Sequence, residues 1–183
     1  FVTRDFGASW RRIDAGLPAN AFVRVVRQDP VRPELLFAGT ETGVHVSFDG
    51  GARWQPLQRN LPAIPVTDLL IKDADVVVST QGRSFWILDD IAPLRQLVAA
   101  AGTAGVRLFA PSPAWRFGGQ SRTRPGIGAN PPYGALVYYA LPAAPKEGEE
   151  VTLEFLDESG TVLRTVSSNE EEEEPAAPPA DEE

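Results

Sequence analysis

At 183 residues the chain is long enough for one or two domains, and its net charge of −8 is matched by its last stretch alone. Glu170 to Glu174, Asp181, Glu182 and Glu183 supply eight negatives with no positive among them. The neutral remainder has no basic field to attract nucleic acid, no apolar run approaches the ~20 residues of a membrane span, and the lack of cysteine excludes disulfides and thiolate metal sites.

The first residues already carry a motif. Thr3-Arg4-Asp5-Phe6-Gly7-Ala8-Ser9-Trp10 reads Ser/Thr-x-Asp-x-Gly-x-x-Trp, and Ser47-Phe48-Asp49-Gly50-Gly51-Ala52-Arg53-Trp54 repeats it with every specified position displaced by 44. Leu17-Pro18-Ala19 returns as Leu61-Pro62-Ala63 at the same offset, and Asp29 returns as Asp73. A period in the forties with short strand-like runs inside it is the signature of β-propeller blades. Each specified position has a structural task. Glycine takes positive φ cheaply in a tight turn, the Asp carboxylate accepts backbone N–H groups, the hydroxyl adds a local bond, and the Trp buries a large ring. Both octets are therefore expected to hold hairpins, with Trp10 and Trp54 packed in equivalent positions.

Between and after the octets the pattern predicts strand upon strand. Trp10 to Ile13 is expected as an outer strand and Phe22 to Gln28 as an inner one. Leu35 to Thr40 and Gly43 to Phe48 follow as an antiparallel pair, then Trp54 to Leu57. Asp29-Pro30 and Arg32-Pro33 are turn material. A third copy begins on schedule at Val66 to Ile71 and continues through Val76 to Thr80 paired with Phe85 to Leu88. It then decays, because Asp89 remains at the motif position while the Gly and the Trp are gone. Terminal repeats are often atypical in this way. Ile91 to Ala100 loses the alternation and predicts a short helix, and Val106 to Ala110 is strand-like and could supply the missing outer strand. Ser112 to Pro132 is rich in Pro and Gly with interleaved Arg and aromatic residues. That mixture suits a single-strand nucleic-acid surface or a crossing loop packed on its neighbours, and the neutral body favours the loop. Tyr133 to Ala140, Val151 to Leu156 and Thr161 to Val166 are further strands, the last two joined by an Asp157–Gly160 turn. The final Glu/Pro/Ala run cannot bury enough apolar surface to order itself.

On these residues the two octets resemble Asp-box repeats (bacterial neuraminidase repeats), found in sialidases, xyloglucanase-type glycosidases and sortilin-type propellers. In those families the box sits on the hairpin between the third and fourth strands of a blade, away from the central channel. Carried over by position, Thr3, Asp5, Gly7 and Trp10 match, as do Ser47, Asp49, Gly51 and Trp54. Thr80-Gln81-Gly82-Arg83-Ser84-Phe85-Trp86-Ile87-Leu88-Asp89-Asp90 is similar to a segment ending the propeller in a group of secreted bacterial proteins labelled glycosyl hydrolase or sortilin-like, which more often carry His where Gln81 stands. The resemblance implies an all-β chain: a partial propeller of the last two to three blades, then an incomplete Ig- or fibronectin-like module. It implies terminal blades with a short helical closing segment over 1–110, a linker over 111–132, the start of the Ig-like module over 133–168 and a disordered acidic insert or tail over 169–183. Because two blades cannot close a ring, the chain is expected to be an internal piece of a longer protein, secreted or periplasmic, with the missing blades as its first partners.

For chemistry the candidates are few. Glycoside hydrolysis needs a pair of carboxylates, or in sialidases a Tyr nucleophile. Asp68 lies in an inner-type strand and Arg24 is its counterpart one repeat earlier, where an Arg could grip a substrate carboxylate; the alternative is that both pair with neighbouring strands or face solvent. Arg83 and Trp86 could form a sugar platform, or Trp86 could pack between sheets. His45, the only histidine, is expected on the polar, exposed side of its strand, and a lone His builds no metal site. No cofactor and no metal are expected. Two functions remain open: a glycoside hydrolase with undetermined catalytic residues, or a non-enzymatic, sortilin-like propeller that binds peptides or glycans.

Overall fold

The computed structural model describes residues 1–99, 105–114 and 134–169. They fall into two compact units, 1–140 and 141–183. The described residues are mostly β, in several small antiparallel sheets of which none closes on itself. No described helix is long and apolar enough to cross a membrane.

The first unit contains an antiparallel meander of four strands: β1 (Val23–Gln28), β2 (Leu36–Thr40), β3 (Gly43–Ser47) and β4 (Gln55–Pro56). A second sheet holds three, β5 (Val66–Lys72), β6 (Asp75–Thr80) and β7 (Phe85–Leu88), in the order 5-6-7. These strands lie within a residue or two of the positions their alternation predicts. The two sheets share one core. Val25, Phe37, Val44 and Val46 of the first sheet meet Val66, Leu69, Val76 and Val78 of the second, and all eight are buried. Burial of this kind, at roughly 25 cal/mol per Å² of apolar surface, is the main stabilising term for so thin a pair of sheets.

Helix α1 (Ala92–Ala99) follows the second sheet, as expected from the loss of alternation. Asp90 starts it by accepting a hydrogen bond from the Ala92 amide at 3.2 Å, an N-terminal cap. Ile91 is fully buried, and Leu94 and Val98 pack on the core. From the helix, Arg95 reaches the buried carboxylate of Asp29 through Nε (3.1 Å to each oxygen) and Nη2 (2.7 Å), and Nη2 also donates to the Asp73 carbonyl at 2.7 Å. One guanidinium thus joins Asp29 to Asp73, its counterpart in the next repeat. The Asp29 carboxylate is also satisfied by the Val31 and Arg32 amides.

Three expectations are corrected. Trp10 to Ile13 is no strand: it makes one isolated bridge, Val2 to Arg11, and no ladder extends from it among the described residues. Val106 to Ala110 does not complete the second sheet. Its strand, β8 (Arg107–Leu108), pairs with β9 (Tyr139–Ala140), while the Gln96 side-chain amide both donates to and accepts from the Ala110 backbone at 2.9 Å, tying the segment to α1 instead of to β7. Strand structure expected over Tyr133 to Ala140 is confined, among the described residues, to Tyr139–Ala140, and Tyr133 lies outside them.

The second unit contains a hairpin of β10 (Thr152–Leu156) and β11 (Val162–Ser167). Asp157 organises its turn by accepting from the Ser159 amide (2.8 Å) and the Thr161 amide (2.9 Å). Both the Ser112–Pro132 stretch, apart from its first residues, and the acidic run from Glu170 onward lie outside the described residues.

Removing one partner of a buried ion pair strands the other charge, a loss of about 3–5 kcal/mol. Arg95→Ala should therefore lower unfolding stability by that amount in urea titrations. A double variant Arg95→Ala/Asp29→Asn should lose clearly less than the sum of its two single variants.

Candidate functional site

The two octets fold to the same set of local hydrogen bonds. Thr3 Oγ1 donates to Asp5 and accepts from the Gly7 amide, both at 2.8 Å; Ser47 Oγ donates to Asp49 at 2.8 Å and accepts from the Gly51 amide at 2.9 Å. The Asp carboxylate then accepts the amide four residues on, Ser9 to Asp5 at 2.8 Å and Arg53 to Asp49 at 2.9 Å. Gly7 and Gly51 take φ of 93° and 87°, where a β-carbon would be strained. The Ser9 hydroxyl, then the Ser9 amide and the Thr3 hydroxyl, hold Asp5 down to about 2. Burial opposes ionisation of Asp49, yet the Arg53 amide and the Ser47 hydroxyl leave it below the ordinary carboxylate range. The Thr3 and Ser47 hydroxyls and the Asp5 and Asp49 carboxylates are thus committed to the turn.

The tryptophans differ, against expectation. Trp54 is 3 % exposed; its amide donates to the Ala15 carbonyl (2.8 Å) and its indole N–H to the Ile13 carbonyl (2.7 Å). Trp10 is 62 % exposed and donates only to the Gly7 carbonyl of its own turn at 3.1 Å. The reason is tertiary. Trp54 is roofed by Ile13 to Leu17, and among the described residues none buries Trp10 in the same way.

Arg24 and Asp68 are not brought together. Arg24 pairs with Glu41 (Nη2 to Oε1, 2.5 Å), whereas Asp68 pairs with Arg27 at 2.6 Å and accepts the Leu69 amide at 2.8 Å. The Arg27–Asp68 pair joins β1 to β5 across the two sheets and is largely exposed. β1 has an irregularity between Val23 and Val25, and Arg27 lies beyond it in regular register opposite Phe37. Beside these pairs the Thr67 and Ser79 hydroxyls share a 2.7 Å hydrogen bond. β1 and β5 therefore carry charges and a hydroxyl that are each paired with a neighbour. Trp86 is part-buried: it packs on the core, donates to the Arg83 carbonyl at 3.0 Å and lines a groove with Leu57 and Leu61. Asp89 is raised by burial and then by the charge of Asp75. Among the described residues no group of three His, Asp or Glu side chains has the arrangement of a metal site.

His45 corrects a further expectation. It is 5 % exposed, between Ala38 and Pro56 in the sheet, and its Nδ1 is buried without a hydrogen-bond partner. β3 is covered on both faces, so alternation in its sequence does not mean that one side meets water. Burial alone pushes the imidazole below its ordinary 6.5.

Scans of the chain against protein-family models, curated proteins and solved structures returned no match.

Trp54→Ala should destabilise the chain by about 3–5 kcal/mol, the cost of emptying a buried aromatic site. Trp10→Ala should stay within about 0.5 kcal/mol in dilute solution. Chemical denaturation of the two variants side by side measures the contrast. For His45 the sign is fixed by its lowered pKa. The unfolded imidazole takes up a proton near 6.5 and the folded one resists, so stability is complete above that value and falls as pH drops below it, until the lower folded value is passed. Urea titrations between about pH 8 and about pH 5 should show this fall, and His45→Leu should flatten it.

Proposed function

We propose that the chain forms two consecutive blades of an Asp-box β-propeller in a secreted protein resembling glycosyl hydrolases of the sialidase and xyloglucanase type, and that its inner strands belong to a ligand-binding face for a polar glycan or peptide. The observation that carries the blade reading is the identical hydrogen-bond set of the two octets at an offset of 44, the second of them on the hairpin between the third and fourth strands of its sheet. The contact of β1 with β5 through Arg27 and Asp68 supports an inner edge shared by neighbouring blades.

Between enzyme and binding protein, the geometry favours binding at this edge. A glycosidase carboxyl group works with a partner at about 5–5.5 Å for retention or about 6.5–9.5 Å for inversion, and one member must carry a proton to the leaving group. Asp68 is instead an ion-paired acceptor for a guanidinium and an amide, and Arg24 is held by Glu41. Such pairs exchange readily for the hydroxyls and amides of a sugar or peptide.

The 183-residue chain should cleave none of a panel of sialosides, xyloglucan oligomers and aryl glycosides. Turnover that disappears in Asp68→Asn would put the enzyme reading first.

A further inference from the structure

The two octets share their hydrogen bonds but differ at the residue that follows the aspartate. Asp5 is followed by Phe6 and Asp49 by Gly50, and Asp49–Gly50 is the only Asp-Gly pair of the chain. Such a pair can rearrange without an enzyme. The main-chain nitrogen of the glycine attacks Cγ of the aspartate and a nitrogen–carbon bond forms. One carboxyl oxygen leaves as water, carrying the amide proton and a proton taken up by the carboxylate, and a cyclic imide results. Water then adds to the main-chain carbonyl carbon of the imide, and the bond from that carbon to nitrogen breaks. The product is isoaspartate, whose backbone runs through the former side chain and whose former main-chain carbonyl is a free carboxylate. Water and the proton are lost and regained, so nothing is consumed. Glycine favours the attack because it places no β-carbon beside the nitrogen and lets the backbone turn freely.

In the folded chain both reacting groups are held. Gly50 N donates to the Glu34 carbonyl at 2.8 Å, which ties the nucleophile to the connection between β1 and β2. The Asp49 carboxylate accepts from the Ser47 hydroxyl at 2.8 Å and from the Arg53 amide at 2.9 Å. Those bonds fix its direction and favour its ionised form, the poorer electrophile. The turn is also packed from above, since a β-carbon on Gly51 would come within 2.7 Å of Ile13 Cδ1. Modification would undo this arrangement. Isoaspartate puts one more carbon into the main chain between residues 49 and 50 and moves the carboxylate onto Cα. The Ser47–Gly51 and Asp49–Arg53 bonds both span that link, so the octet loses its geometry.

We propose that Asp49–Gly50 is a modification site of this chain: the folded octet protects it, unfolding exposes it to isoaspartate formation, and the modified octet does not close again. Gly50 takes φ of 69°, but Phe6 takes 55° at the same place in the first octet, so the turn itself does not demand glycine. The residue that eases this turn is therefore also its point of covalent ageing. The site depends on neither the propeller reading nor any ligand.

Incubation of the 183-residue chain at neutral pH, with and without urea, tests the proposal when isoaspartate is located by peptide mapping. In urea it should build up at residue 49 and not at residue 5. Without urea the rate should fall in proportion to the unfolded fraction that denaturation measures, and Trp54→Ala should raise rate and fraction by the same factor. Gly50→Phe copies the first octet, and a β-carbon there meets open space. It should abolish the product in urea, a comparison that needs no folded variant. On removal of urea, unmodified chains should regain the native amide resonances of Gly51 and Arg53, and isoaspartyl chains should not. A folded chain that isomerises as fast as the unfolded one, product at Asp5 equal to that at Asp49, or isoaspartyl chains that regain those resonances would each overturn the proposal.

Discussion

Gly39 sits where β2 crosses β5, and a methyl group there would come within 2.5 Å of a Val66 methyl and 2.7 Å of Val25. That close approach brings Phe37, Val44 and Val46 against Leu69, Val76 and Val78. Everything else in the first unit depends on this contact. The four-stranded and the three-stranded sheet bury their core residues against each other. Helix α1 closes one end of the contact, where the Arg95 guanidinium spans the turns of both repeats. The exposed Arg27–Asp68 pair joins the same two sheets through β1 and β5, but at its exposure it adds at most about 1 kcal/mol and orients more than it stabilises.

The octets illustrate how a local motif and its tertiary use come apart. Their hydroxyl, carboxylate and glycine bonds close within five residues, so both copies form them whatever surrounds the chain. Their tryptophans have no such independence. An indole is buried only where another segment supplies a roof, and that happens for Trp54 and not for Trp10.

The strands, the helix after Leu88, and the 44-residue repeat with its turn chemistry were legible in the sequence, because alternation, glycine positions and side-chain-to-backbone bonds are properties of neighbours along the chain. What tertiary structure alone decided is what each side chain meets. His45 alternates with valines as a half-exposed residue would, yet β3 is covered on both faces and leaves its Nδ1 buried. Asp68 pairs with Arg27, while Arg24, its counterpart one repeat earlier, pairs with Glu41. Val106 to Ala110 has the composition of an outer strand, but the Gln96 amide on α1 holds it away from β7. Asp29 and Asp73 are the same residue in two repeats, one buried under an arginine and the other exposed, since only one lies within reach of Arg95's carboxylate-binding fork. Local periodicity sets the backbone's path; burial and charge pairing are set by distances between segments that lie far apart along the chain, and no spacing within a repeat encodes those.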